Sequence, residues 1–221
     1  MAKVCIINVS VGRWHPQGQT RLIASLKKHH YDGGTIMYRE EYPNDSPTHQ
    51  ELPYAFKPYA FKEAYEMGYD IIIWMDSAVW LNKPLQPIID KIESDGYFFP
   101  LNGWVTGNWT NDAMLEYFDI SRDRAMEIPH MMACVMGLDM RTELTQSFLG
   151  RWIDSIPTFD GAWSNANKEC SQDERCLGHR HDQSAASIIA TELGMKFTPT
   201  PTWLTYAPDK DIDCILFSQG M

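Results

Sequence analysis

Two acidic residues stand where apolar segments begin or end, and both are candidates for binding or catalysis. Asp76 follows an apolar run that ends at Met75, and Asp182 precedes an apolar helix that we predict from Ser184. A carboxylate at the end of a buried strand emerges at the ligand edge of a parallel sheet, where it can bind a metal ion or a ribose hydroxyl. A carboxylate at a helix start caps backbone N–H groups, and the helix terminus favours its ionised form. A turn or capping role without chemistry is the alternative for each.

Alternating strand and helix patterns predict the elements that position these residues. The predicted strands are 3–9, 70–75, 97–100, 130–138 and 214–217, and the predicted helices are 20–29, 53–67, 84–93, 142–155 and 184–193. The segments 40–53, 101–111 and 157–181 are predicted loops. This order favours crossover connections, so we predict an α/β fold with a mostly parallel central sheet flanked by helices. Residues 1–221 are interpreted as one Rossmann-like domain.

Composition excludes several partners and compartments. The net charge of −10 speaks against a nucleic-acid partner, because the phosphate backbone would be repelled. No apolar run approaches the roughly 20 residues that a membrane span requires, so we predict no membrane span. The apolar start of the chain is too short for a signal peptide, and an odd number of cysteines suits reduced thiols, so we expect a cytoplasmic protein.

Two familiar site patterns fit poorly. Gly12 and Gly18 are followed by Gln19 and Thr20, but the spacing is too long for a P-loop and Gln19 replaces its lysine. A zinc site at Cys170, Cys176, His179 and His181 is an alternative, although its cysteines lie farther apart in the sequence than in structural zinc sites.

Several segments, taken in order, resemble a known family. They are a helix starting at Lys57-Pro58, a strand ending Trp74-Met75-Asp76-Ser77, the segment from His130 to Gly137, a helix ending near Trp152, and Asp182-Gln183 before a late helix. Together they resemble GT-A-fold glycosyltransferases that use nucleotide-sugar donors, and Asp182-Gln183 resembles the Asp-Gln pair of glycogenin-like transferases.

The resemblance implies a set of roles. The loop with Val9, Ser10, Gly12 and Arg13 would hold the nucleotide, expected to be UDP. Lys57, Asp76 and Ser77 would contact the nucleotide or diphosphate, and Arg180 is a further donor-binding candidate. Asp182 and Gln183 would face the donor sugar as catalytic residues, which favours retention by analogy. The acceptor would be a glycan or another small molecule.

The metal site of the fold is incomplete in this sequence. The Asp-x-Asp motif that holds manganese or magnesium on the diphosphate is reduced to Asp76, because Ala78 stands at the second position. The C-terminal segment also lacks the histidine that often completes the site. Metal dependence is therefore doubtful, with Asp76 as the candidate ligand and Arg13, Lys57 and Arg180 as candidates to meet the diphosphate charge.

Two other functions compete with glycosyl transfer. A nucleotidyltransferase uses a related sheet, but it would need a glycine-rich basic loop after the first strand, and Val11 to Gly18 is poor in both respects. A non-catalytic nucleotide- or sugar-binding domain is consistent with the missing aspartate. Aromatic residues in or beside the loops can stack on a sugar or base, or serve as buried anchors: Trp104, Trp109, Trp163, Trp203 and Tyr206.

Overall fold

Strands and helices alternate along the computed structural model, which describes residues 2–209 and 213–220. In chain order they are β1 (Val4–Ser10), α1 (His15–Lys28), β2 (Gly34–Arg39), α2 (Phe56–Glu66), β3 (Ile71–Met75), β4 (Val79–Leu81), α3 (Gln86–Asp95), β5 (Tyr97–Phe98), β6 (Leu101–Val105), α4 (Asp112–Tyr117), α5 (Arg122–Met126), β7 (Pro129–Met131), β8 (Val135–Asp139), α6 (Glu143–Asp154), α7 (His181–Glu192), β9 (Leu204–Thr205) and β10 (Leu216–Ser218). Short 3-10 helices lie at Thr106–Trp109 and Ile156–Phe159.

The central sheet has five strands in the order β2-β1-β3-β8-β5. Strand β1 pairs in parallel with β2 and β3, whereas β8 is antiparallel to both of its neighbours, β3 and β5. All strands except β8 therefore run in the same direction, which confirms the predicted mostly parallel α/β sheet. Strand β10 pairs with β4 and β9 in a separate small sheet, and β6 pairs with β7.

Both faces of the central sheet are covered, and strand β3 shows why its sequence is apolar throughout. Ile72 and Trp74 belong to the core that contains residues of α2, α6 and α7. Ile71, Ile73 and Met75 belong to the opposite core, which contains residues of α1 and α3. A strand buried on both faces needs a continuous apolar run rather than alternation, as β3 has.

The reversed strand β8 brings a further segment to the edge where the parallel strands end. Met75, the last residue of β3, pairs with Val135, the first residue of β8. The turn before β8 therefore lies beside Asp76, whose N–H donates to the carbonyl of Cys134 over 2.8 Å.

Two predictions for the middle of the chain are wrong. The predicted strand 130–138 is divided into β7 and β8, which lie in different sheets. The chain bends between them because Met132 N donates to Pro100 O, while Cys134 O accepts from Asp76 N. The predicted loop 101–111 contains β6 and a 3-10 helix. Its glycine and tryptophan content suggested a loop, but β6 pairs with β7 through an irregular register.

Two helices begin earlier than predicted. Helix α1 begins at His15 rather than at residue 20, and Pro16 in its first turn is the start signal that was overlooked. Helix α7 begins at His181, and its N-cap residue is Arg180. Asp182 therefore lies inside the first turn and is not the N-cap residue that the sequence suggested.

Several short elements were not predicted: β2, β4, β9, α4 and α5. The edge strand β2 is mostly half-buried, so it lacks the continuous apolar run that identified β1 and β3. In contrast, most of the predicted loop 157–181 has neither helix nor strand; only its first residues, in a 3-10 helix, and His181, in α7, depart from that prediction. Across the described residues, none of the helices combines the length and apolarity that a bilayer crossing requires.

A helix glycine allows α1 to lie directly against the turn that follows β3. A Cβ atom added to Gly18 would overlap the backbone carbonyl of Ser77. The glycine in α6 is different, because a Cβ atom added to Gly150 would meet nothing within 4 Å.

We therefore expect opposite effects from the same substitution at these two helix positions. Gly18→Ala should destabilise the protein by about 2 kcal/mol, because backbone must move to admit the methyl group. Gly150→Ala should stabilise it by about 0.5–1 kcal/mol through helix propensity. Urea unfolding measures both free energies, and a stabilised Gly18→Ala variant would contradict the close approach.

Candidate active site

One pocket lies beyond the end of β1, and we call it the β1 pocket. It has a volume of about 300 Å³ and is lined by Val9, Val11, Gly12, His15, Tyr42, His49, Gln50, Tyr54 and Phe56. Gly12 has a φ of +98°, which a residue with a side chain rarely adopts, so it suits the turn after the strand. His15 Nδ1 lies 2.7 Å from the carbonyl oxygen of Val11 and ties this turn to the start of α1.

A second pocket adjoins the first, and we call it the α7 pocket. It has a volume of about 430 Å³ and is lined by Tyr54, Lys57, Asp76, Asn102, Trp104, Met132, Ala133, Cys134, Trp163, Arg180, Asp182, Gln183 and Tyr206. Tyr54 lines both pockets and separates them. The two pockets are therefore neighbours, and Tyr54 is their shared wall.

The most buried charged residue that lines the α7 pocket is Lys57, whose ammonium lies between two carboxylates. Its Nζ is 3.1 Å from Asp182 Oδ2 and 3.5 Å from Asp76 Oδ1, and it donates to Ala133 O over 2.9 Å. Asp76 Oδ1 also accepts a 2.7 Å hydrogen bond from Trp74 Nε1. We call Lys57, Asp76 and Asp182 the charged triad. Its formal charge is −1, so it would not by itself attract a diphosphate.

Burial shapes the protonation of the triad. Burial lowers the pKa of Lys57, but the attraction of Asp182 and Asp76 outweighs it and raises that pKa above its usual value. Burial raises the pKa of Asp182 to about 6, and Lys57 opposes this shift only in part. No partner makes a well-aligned hydrogen bond to Asp182 Oδ2 within the described structure. That oxygen is buried from solvent and faces the ammonium of Lys57.

Seven of the ten predicted site residues line one of the two pockets. Val9 and Gly12 line the β1 pocket, whereas Lys57, Asp76, Arg180, Asp182 and Gln183 line the α7 pocket. Gln183 Nε2 donates to the carbonyl oxygen of Met131, which fixes its side chain near the triad.

Three other predicted residues line neither pocket. Ser10 Oγ donates to Tyr38 O over 3.2 Å, and the buried hydroxyl of Ser77 contacts the side chain of Asn8. Arg13 is exposed beside Gly12. The contribution of Ser10, Ser77 and Arg13 to donor binding stays a prediction.

The residues around Asp76 do not fit a resident divalent cation. Asp76 Oδ1 is engaged by Trp74 and Lys57, and Ala78 supplies no ligand. Nowhere in ranges 2–209 and 213–220 do three His, Cys, Asp or Glu side chains come together as metal ligands. The zinc alternative also lacks support, because the rings of His179 and His181 contact the backbone carbonyls of Thr158 and Phe159.

Sequence reasoning missed most of the wall of the β1 pocket. Tyr42, His49 and Gln50 come from a segment predicted only as a loop, and Phe56 comes from the predicted helix 53–67. Only long-range packing brings these residues to the end of β1. Tyr54 is an aromatic residue three positions before Lys57, and this spacing could have marked it as a site residue. The sequence does not show that Tyr54 lies between two pockets.

The fold of this chain is similar to the folds of solved glycosyltransferases. A glycosyltransferase involved in the glycosylation of the major capsid of PBCV-1 has 11% identity and a TM-score of 0.54, with 98% of this chain and 92% of that chain covered. Mouse xyloside xylosyltransferase 1 has 11% identity and a TM-score of 0.50, with coverages of 99% and 98%. The bifunctional glycosyltransferase WbbM has 10% identity and a TM-score of 0.52, and the match covers 97% of this chain but 41% of that chain.

These similarities define the fold class. The protein has the mixed α/β fold of GT-A-type glycosyltransferases, as the resemblance implied. No family model matches the sequence, and no curated protein matches it. The assignment therefore depends on three-dimensional structure.

The charged triad makes Lys57 far more important for stability than its neighbour Lys62 on the same helix. Lys57→Met should destabilise the protein by about 3 kcal/mol, because it leaves the buried carboxylate of Asp182 without its counter-charge. Lys62 forms an exposed pair with Glu66, so Lys62→Met should change stability by no more than about 0.5 kcal/mol. Urea unfolding at neutral pH tests the pair of variants, and equal losses would contradict the role assigned to Lys57.

Proposed function

We propose that this protein is a glycosyltransferase that moves a sugar from a nucleotide-sugar donor to an acceptor hydroxyl. The observation that carries the proposal is the pair of adjoining pockets at the end of β1 and β3, with the charged triad in the second pocket. Ligands of open α/β sheets bind at this edge. The similarity to solved glycosyltransferases supports the same function.

The two pockets suit the two parts of a nucleotide-sugar. The β1 pocket offers the aromatic side chains of Tyr42, Tyr54 and Phe56 to a base and ribose. The sugar then lies past Tyr54 in the α7 pocket, near Asp182 and Gln183. We propose UDP as the nucleotide and a hexose or similar sugar as the group transferred, both from the family resemblance.

The diphosphate between these parts needs positive charge that the triad does not supply. Lys57 is committed to two carboxylates, so we assign the diphosphate to Arg13 beside the β1 pocket and Arg180 in the α7 pocket. Because the residues present do not fit a divalent cation, we propose that any such ion binds weakly and through Asp76.

The proposed reaction exchanges one bond at the anomeric carbon for another. The acceptor oxygen bonds to that carbon, the bond to the diphosphate oxygen breaks, and its electron pair leaves with the nucleoside diphosphate. The acceptor proton passes to a base or to the leaving diphosphate. Ionised Asp182 would stabilise positive charge on the sugar, and Gln183 would orient it. Retention of configuration is our proposal from the Asp-Gln resemblance.

Incubation with a panel of nucleotide-sugars tests the proposal directly. We expect slow release of nucleoside diphosphate and free sugar when water replaces the acceptor, and stabilisation by about 2.7 kcal/mol at a nucleoside diphosphate concentration a hundred times Kd. Both the hydrolysis and the stabilisation should persist in EDTA, because the side chains around Asp76 do not form a metal-binding site. Calorimetry and product analysis measure them.

The products also distinguish the alternatives. Release of nucleoside monophosphate or pyrophosphate would indicate attack at a phosphorus atom, as in a nucleotidyltransferase, and would overturn glycosyl transfer. Nucleotide binding without turnover of any donor would indicate a binding domain. Loss of both turnover and stabilisation in EDTA, with recovery in manganese, would show that the metal proposal is wrong.

The pKa of Asp182 predicts that the rate of donor turnover falls at acidic pH. Donor turnover, measured as kcat/KM, should fall about tenfold per pH unit below pH 6, because protonation removes the stabilising charge. Asp182→Asn should turn over donor at least about 100-fold more slowly at neutral pH.

Unfolding of the protein would not explain this decrease in rate at acidic pH. The folded-state pKa of Asp182 is about 6, above its ordinary value of 3.8, so the folded state binds the proton more tightly than the unfolded state. The contribution of this group to stability therefore grows as pH falls from 6 towards 4. Melting temperatures across the same pH range provide the control. A rate that is constant between pH 5 and 7 would contradict the role of Asp182.

A further inference from the structure

Three exposed aromatic side chains surround the opening of the α7 pocket, and we call them the aromatic rim: Trp104, Trp163 and Tyr206. They are 45%, 54% and 57% exposed, whereas Lys57 and Asp182 in the same pocket are 2% and 3% exposed. Trp104 and Trp163 are the exposed tryptophans of this protein. Apolar surface gathered at the opening of a polar pocket indicates a binding surface.

Each rim tryptophan packs against other planar side chains, including His130 for Trp104 and His181 for Trp163. Trp104 stacks on Trp109, with ring centroids 4.6 Å apart and planes inclined by 30°. The guanidinium of Arg180 lies 4.0 Å from the ring centroid of Trp109 and 3.7 Å from that of Trp163. These contacts connect Trp104, Trp109, Arg180 and Trp163, of which Trp104 and Trp163 are exposed. These rings are already ordered before a ligand arrives, which lowers the entropic cost of binding.

The polar groups among the rim residues suit hydroxyls better than charges. Arg180, which we assign to the donor diphosphate, donates from Nη1 to the carbonyl oxygens of Trp163 and His179, and Lys57 is committed to the triad, so neither cation is available to a charged acceptor. The side-chain amides of Asn102 and Gln183 also line the pocket. A ligand that fits has a flat apolar face for the rings and neutral hydroxyls for the amides. A pyranose ring has this combination.

We propose that the aromatic rim is the acceptor subsite and that the acceptor is a neutral carbohydrate whose pyranose ring stacks on it. This inference rests on the proposed glycosyl transfer. The donor enters from the β1 pocket, on the far side of Tyr54, and its sugar lies near Asp182 and Gln183. The rim is the exposed part of the same pocket, so the acceptor ring binds there and presents a hydroxyl to the donor sugar.

Tryptophan quenching tests binding without any need for turnover. Acrylamide is a neutral quencher, so the net charge of −10 does not repel it, and it quenches exposed tryptophans most. A panel of methyl pyranosides of neutral hexoses and pentoses should lower the quenching constant, whereas the matching methyl glycosides of uronic acids should not. Equal or better protection by the uronic acids would overturn the neutral acceptor.

Turnover with matched tyrosine variants tests the role of the rim. Tyr206→Ala should lower the ratio of transfer to a methyl pyranoside over donor hydrolysis roughly tenfold, since it removes one aromatic face. Tyr206→Phe keeps the face and should restore most of that ratio, although it loses the contact of the hydroxyl with Cys134 Sγ at 3.3 Å. Tyr117 is 48% exposed and lines a different pocket, so Tyr117→Ala should leave the ratio unchanged.

The two proposals fail in different ways. If the parent hydrolyses donors but Tyr206→Ala and Tyr117→Ala have the same ratio, the rim assignment is overturned and glycosyl transfer stands. If pyranosides protect the tryptophans but no donor is turned over, glycosyl transfer is overturned and the acceptor assignment with it.

Discussion

The position of the Lys57 ammonium between Asp76 and Asp182 is the constraint on which the site depends. A buried lysine stays charged only with counter-charges nearby, and these two carboxylates come from the end of β3 and the first turn of α7. The pairing therefore fixes α2, β3 and α7 relative to one another at one edge of the sheet. It also decides the electrostatics, because a lysine that neutralises two carboxylates is not available to a diphosphate. One interaction thus links the packing of the fold to the chemistry we propose for it.

Much of the fold could be predicted, because the residues that build it are locally informative. The apolar runs of β1 and β3 and the amphipathic patterns of α2, α3 and α6 identified these elements without any knowledge of their neighbours. The edge strand β2 and the division between β7 and β8 could not be predicted in this way. Edge strands are half-polar, and the bend at Met132–Cys134 is set by bonds to Pro100 and Asp76, which are distant in the sequence.

The site was predicted unevenly for the same reason. Asp76, Asp182 and Lys57 could be singled out from strand-end and helix-start positions and from the family resemblance, and the structure brings them together. Their mutual ion pairing could not be predicted, because no local pattern says that a lysine on α2 reaches an aspartate on α7. The capping role suggested for Asp182 was wrong, since α7 begins at His181. The stack around Arg180 joins residues from three separate segments, so no local sequence pattern predicts it.

The two levels of the α7 pocket are built from different parts of the chain. The charged triad lies on α2, at the end of β3 and on α7, in or beside the central layers, whereas the aromatic rim comes from β6, the irregular segment 160–180 and the turn after β9. A substitution in the triad disturbs the packing of three elements at once, while a substitution in the rim changes a surface. The rim can therefore diversify during evolution, or in the laboratory, at little cost to folding. Under the proposed function, descendants of this protein could acquire different acceptors while they keep the same charged triad.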